Sequence, residues 1–208
     1  MIQQNDPRLG PAIQQEDQVY YFDYEGFVDK RPSLVGILLD GQFRQYTFEP
    51  VLEGLAPDLN VTYMTWDQWV EYLVELRDRG YLGVGYSMHE ADKTPELGPA
   101  EKWYRNAHRF IKRQVQWPNG GRPRKWDLES VAKYLGMDTK SYGTKQATQR
   151  LRYTLQFAAK YGTMDKFTPT AKAKWTKLLN YNSQDVKMLH FSVCAGLRIN
   201  QLKVTTWH

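Results

Sequence analysis

The order of its hydrophobic patterns constrains this chain more than any other feature. β-type runs recur between residues 18 and 48, and helical spacings dominate the second half. Gln18 to Asp23, with Val19-Tyr20-Tyr21-Phe22 between them, is aromatic and β-branched and predicts a buried strand. Leu34 to Leu39 predicts a second strand. Asp40-Gly41 is a two-residue hairpin signal, and Phe43 to Phe48 supplies the returning strand. Three strands on short turns predict an antiparallel meander. Thr65 caps a helix predicted over Trp66 to Arg79, where Trp69, Val70, Leu73 and Leu76 share one face, and Gly80 stops it. Tyr81 to Tyr86 is a short apolar run, expected as a parallel strand inside the sheet.

From there the chain reads as helices: about Ala100 to Gln116, Asp127 to Leu135, Lys145 to Lys160, Thr170 to Leu179, and Ser183 to about Leu197. Pro118-Asn119-Gly120-Gly121-Arg122-Pro123 is a loop. The expected class is α/β, a mixed sheet flanked by helices with a helix-rich C-terminal half. Residues 1–17, polar with Pro7 and Pro11, read as a lead-in. Residues 18–208 read as one domain with a basic elaboration at about 100–125.

Residues 1–100 carry 7 Lys+Arg and 17 Asp+Glu, and residues 101–208 carry 21 and 6, so the halves stand at −10 and +15. Opposite poles of that size point to a polyanionic partner for the second half, nucleic acid being the commonest. The longest aliphatic run, Leu34 to Leu39, is far short of a membrane span. Met1 to Asp6 lacks the basic and apolar parts of a secretory leader. Cys194 is the one cysteine, which excludes an internal disulfide and an all-cysteine zinc site. A soluble, cytoplasmic, monomeric protein is expected.

Three acidic groupings stand at the ends of predicted elements. Asp23 and Glu25 end the first strand two residues apart, so their side chains leave on the same side. Like charges at a buried strand end call for a cation such as magnesium or manganese, although strand-end acids are also commonly solvated. Glu90, or failing that Asp92, follows the fourth strand and could reach the same place. Tyr181 and Asp185, four apart, share a helical face, with Asn182 or Ser183 available as the cap of the last helix. His89 reads as a surface or loop residue.

In this arrangement Phe22-Asp23-Tyr24-Glu25-Gly26 resembles the first motif of the DEDD 3′–5′ exonucleases, and Tyr181 with Asp185 resembles their third motif in its tyrosine form. Trp126 to Gly136 resembles the stretch where that family has an Asp-Leu and a helix ending in Leu-Gly. The whole is similar to the ribonuclease-H-like nuclease domain found alone or attached to RecB-like proteins, over about residues 18–197. The second motif departs: the family shows an Asn and then an Asp, whereas this chain has Tyr86-Ser87 and then Glu90.

The resemblance implies a ribonuclease-H-like fold and phosphodiester hydrolysis with two Mg²⁺ or Mn²⁺ ions. It implies Asp23 as the bridging ligand, Glu25 and Asp185 on the first ion, and Glu90 on the second through water. Tyr181 would orient the attacking water. On the basic half, Lys102, Arg105, Arg109, Lys112 and Arg113 fall on one predicted helix, and Arg122, Arg124 and Lys125 form a second patch. Both are expected to contact phosphates, with DNA placed ahead of RNA. Trp103 and Phe110, like Trp66 with Trp69, are expected in the core. The competing function is a nucleic-acid-binding module with an inactive site.

Overall fold

The computed structural model of the chain describes residues 18–115, 121–139 and 146–205. The lead-in 1–17, the first half of the Pro118–Pro123 loop and Lys145 lie outside the described residues. The chain runs β1 (Val19–Gly26), β2 (Pro32–Leu39), β3 (Gln42–Thr47), a 3₁₀ turn (Pro50–Leu55), β4 (Thr62–Tyr63), α1 (Trp66–Asp78) and β5 (Leu82–Gly85). It continues with α2 (His89–Asp92), a 3₁₀ turn (Pro95–Leu97), α3 (Ala100–Trp103), β6 (Tyr104–Asn106), α4 (Ala107–Val115) and α5 (Leu128–Tyr134). It ends with α6 (Ala147–Tyr161), a 3₁₀ turn (Met164–Lys166) and α7 (Pro169–Thr205).

The six strands form one mixed sheet in the order β4-β3-β2-β1-β5-β6. β1, β2 and β3 are the expected antiparallel meander. Asp40 (φ 51°) and Gly41 (φ 73°) both take the left-handed conformation that a two-residue hairpin matching the strand twist requires. β5 lies parallel to β1 and inside the sheet. α1 carries the expected Thr65 cap, with Gln68 N donating to Thr65 Oγ1, and the structure adds the reciprocal bond from Thr65 N to Gln68 Oε1.

Strand alternation sorts β1 onto two cores. Tyr20, Phe22 and Tyr24 pack with Trp66, Trp69, Leu73 and Trp103 on the α1 side, so these tryptophans are core residues as expected. Val19 and Tyr21 pack with Phe110, Ile111, Val131, Val186, Leu189 and Val193, from α4, α5 and α7. A third cluster joins Leu34, Leu52 and Leu59 to Leu151 of α6 and Trp175 and Leu178 of α7. Asp23 and Glu25, two and four residues beyond Tyr21, therefore leave the sheet on the α7 side.

Two helix readings are corrected. Residues 100–116 are not one helix: α3 ends at Trp103, and Tyr104–Asn106 form edge strand β6 against β5 before α4 begins. The buried Gly83–Gly85 backbone needs partners on both sides, and β6 provides them on the second. The two helices read at 170–179 and 183–197 are one continuous α7. Asn182 and Ser183 do not cap; apolar contacts on both sides, Leu178 behind and Val186 and Leu189 ahead, carry the helix through them. β4, only two residues long, was not legible. Among the described residues no helix is long and apolar enough to cross a membrane.

A candidate metal centre at the end of the first strand

Asp23 and Glu25 of β1 meet Asp185 of α7, and each offers a carboxylate oxygen within 4.8 Å of the other two. All three are partly exposed, so the cluster is enclosed by protein yet opens to solvent. Their proximity has an electrostatic consequence. Burial raises the Asp23 carboxyl well above its ordinary range, and Glu25, Asp185 and Glu90 raise it further. Glu25 is pushed up to about 8, by burial first and then by Asp185. Asp185 is pushed up to about 7 by burial and by Glu129 of α5, against a hydrogen bond from Tyr181. Carboxyls held this far up are short of positive charge.

Tyr181 lies one turn before Asp185 and its hydroxyl donates to that carboxylate. Burial and the acids Asp185 and Glu25 raise the phenol, so it holds its proton.

Asn182 is the residue that sequence reasoning misplaced. Fully buried, it donates from Nδ2 to the backbone oxygen of Asp23 at 3.0 Å and to Asp23 Oδ2 at 3.1 Å. Its own Oδ1 accepts from Gln45 Nε2 at 2.9 Å, and the same nitrogen of Gln45 donates to the Leu179 carbonyl. The link reaches from β3 to β1 across β2 because position 36 is glycine: a Cβ there would collide with the Asn182 amide and lie 3.1 Å from Phe43 Cε2. Two signals pointed this way: Asn182 interrupts the buried apolar stripe of Leu178, Val186 and Leu189, and Gly36 interrupts an aliphatic strand.

Glu90, on α2, is buried and packed over Gly85, where a Cβ would lie 2.7 Å from Glu90 Oε2. The Tyr104 hydroxyl donates to the same oxygen at 2.8 Å and also contacts the Ser87 carbonyl. Glu90 is close enough for its charge to raise Asp23, but it is not among the three acids whose oxygens converge. Asp92 is exposed. Between the two, Glu90 is the one turned toward the cluster.

A groove of about 200 Å³ opens beside Glu25, lined in part by Phe27, Lys30, His89 and Lys93. Lys93 Nζ donates to the carbonyls of Val28 and Lys30 and so fixes the loop after β1.

The predicted basic residues divide. Arg109, Lys112, Arg113, Arg122, Arg124 and Lys125 are exposed, as is Lys102 on the separate α3. Arg105 is corrected: it is buried in β6, with Nη1 donating to the carbonyls of Glu101 and Tyr104, both at 2.7 Å. Comparison of the chain with known protein families, with curated proteins and with solved structures finds no match.

Proposed function

We propose that the chain is a divalent-metal-dependent nuclease, a 3′–5′ exonuclease of the tyrosine-type DEDD kind on a ribonuclease-H-like fold, with DNA ahead of RNA as substrate. The observation that carries the reading is the convergence of Asp23, Glu25 and Asp185 at the end of β1. An antiparallel meander continued by parallel strands, with a third acid, Asp185, brought to the two on β1 by a C-terminal helix, supports the fold reading. The donor set fits the cation: oxygens only, mutually repelling, half-enclosed, and raised toward protonation when no positive charge is present.

Asp23, Glu25 and Asp185 would hold the metal, with Glu90 serving a second ion through water. Bound there, Mg²⁺ or Mn²⁺ would make water more acidic and offset charge on the phosphoryl group. The rest is the work of the chain. Asn182 fixes the rotamer of Asp23, and Tyr104 fixes Glu90. Tyr181 orients Asp185 and, with its proton firmly held, can position a water but not act as its base. The groove beside Glu25 offers space next to the acids, and Lys30 and Lys93 bring positive charge to its rim.

The test is cleavage of 5′- and 3′-labelled DNA and RNA oligonucleotides with Mg²⁺ or Mn²⁺. Stepwise shortening from the 3′ end by the native chain, lost in Asp23→Asn, is expected. Equal cleavage by Asp23→Asn removes this reading. Tight binding with no cleavage by the native chain replaces it with the binding-module function.

A further inference from the structure

We infer that the outer face of α4 and the strap at residues 121–126 form one phosphate-binding track that leads nucleic acid to the acidic centre. The inference rests on the nuclease reading for its destination, while its evidence is separate. Arg109, Lys112 and Arg113 stand at i, i+3 and i+4 and are all exposed, whereas Ala107, Phe110 and Ile111 on the opposite side are buried. Arg109 and Arg113 are thus one turn apart, roughly 6 Å along the axis.

The strap returns alongside that face. Lys112 Nζ lies 5.4 Å over the Trp126 ring, His108 meets the same ring edge-on at 6.2 Å, and the Tyr86 hydroxyl donates to the Trp126 carbonyl at 2.6 Å. These contacts bring Trp126, with Arg124 and Lys125 just before it, to α4. The start of the strap, next to Arg122, lies against Tyr134 of α5, where a Cβ on Gly121 would come 3.0 Å from the Tyr134 hydroxyl. Two patches separate in sequence thus adjoin. Among the described residues, none of these six cations lies within ion-pair distance of a carboxylate. Asp127, two residues from Lys125, is engaged by Ser130 as the cap of α5. The accumulated charge is felt locally: His108 is held below its ordinary pKa by burial and then by Lys112 and Arg109.

The sheet sets where the track leads. β1, β5 and β6 are parallel, with Tyr21 opposite Val84 and Gly85 opposite Asn106. The start of α4 therefore lies level with Asp23, two strand spacings or roughly 10 Å away. Without a cation the acids repel phosphate, so affinity must come from outside the centre. A row of exposed cations that starts level with a cation-seeking carboxylate cluster fits a polymer of phosphodiesters better than an acidic protein, whose carboxylates would compete for the metal.

The experiment measures binding of a fluorescein-labelled 12-nucleotide DNA or RNA by fluorescence anisotropy across 50–200 mM salt, using the full chain carrying Asp185→Asn so that nothing is cut. Adding Arg109→Ala, Lys112→Ala and Arg113→Ala is expected to weaken binding at least tenfold at 50 mM salt. The slope of log K against log salt should become shallower by about 2, three lost contacts at roughly 0.7 each on a single strand. The comparison is Lys166→Ala, Lys172→Ala and Lys177→Ala, which removes the same charge from exposed positions elsewhere. Equal weakening by the two triples, or an unchanged slope in the first, overturns the track. Because Lys112 covers Trp126, the pair Arg109→Gln and Arg113→Gln repeats the test with that contact intact and should lower the slope by about 1.4 on the same scale. Hydrolysis of bis(p-nitrophenyl) phosphate with Mn²⁺ by the native chain reads the acids alone. A chain that binds along the track but fails there overturns the nuclease reading and leaves the track standing.

Discussion

The side-chain nitrogen of Asn182 holds Asp23 by two atoms at once, its backbone oxygen at 3.0 Å and its Oδ2 at 3.1 Å. A strand and a helix 159 residues apart in sequence are thereby fixed to each other at the acid whose orientation matters most to the centre. Asn182→Ala leaves Asp23 and Gln45 without these partners, a loss of about 1–3 kcal/mol in stability. On the nuclease reading, cleavage falls by about 100-fold through misplacement of Asp23. Chemical denaturation and an oligonucleotide assay check the two halves. Full activity in a folded Asn182→Ala protein would falsify the positioning role.

Gly36 is predicted to be coupled to Asn182. A Cβ at position 36 would meet the Asn182 amide and the Phe43 ring, so Gly36→Ala is expected to cost about 1–3 kcal/mol in the native background. In the Asn182→Ala background one of those obstacles is gone and the cost should drop. A double-mutant cycle by urea denaturation measures the difference; strictly additive costs would show that the contact is not what makes position 36 glycine.

The metal-free protein should lose stability as pH rises. Glu25 at about 8 and Asp185 at about 7 hold protons that the unfolded chain releases near pH 4. Raised folded-state values mean that their contribution is fully present below about pH 4 and disappears as pH climbs through 7 to 8. With EDTA present, thermal denaturation should therefore show a falling midpoint between about pH 5 and pH 8. Asp185→Asn should flatten that slope, and a midpoint that rises over this range contradicts the arrangement.

Metal should reverse that loss. Mn²⁺ at 100 times its dissociation constant adds about 2.7 kcal/mol. For a chain of this length that corresponds to a rise of roughly 5–10 °C in midpoint at pH 8. Binding should release protons, measurable as buffer-dependent heat in calorimetry. The response should vanish in Asp23→Asn; an equal rise in that variant places the ion elsewhere.

Tyr181→Phe removes the hydrogen bond that holds the Asp185 pKa down. Asp185 should then titrate above its present value of about 7. On the nuclease reading the acidic limb of the pH–rate profile shifts toward higher pH while the fold is retained. A limb that stays in place separates Tyr181 from Asp185.

Legibility in the sequence followed the range of the interaction. Asp40-Gly41, the Thr65 cap, and the period-two pairing of Asp23 with Glu25 are decided within a few residues, and each stands where its local pattern puts it. Asp185 could be placed beside Tyr181 by helical spacing alone. Asn182 could not be read correctly, because Asn before Ser and Asp is a good cap in isolation. Only the long-range demand of Asp23, Gln45 and the flanking apolar contacts keeps it helical. The break at Tyr104 was hidden for the same reason: Trp103 to Phe110 has acceptable helical spacing, but the open edge of β5 claims three of its residues. Arg105, counted as a surface cation, was buried by that pairing.

The unbroken α7 has a mechanical meaning. Over its 37 residues, roughly 55 Å, it threads two separate apolar clusters, Trp175 and Leu178 in one and Val186, Leu189 and Val193 in the other. Tyr181, Asn182 and Asp185 occupy the short interval between them. A rod clamped on both sides of its working segment has little freedom to pivot there. The carboxylate it contributes is thereby tied to the rigidity of both cores, and slackening in either one would be felt at the acids before the helix itself unwound.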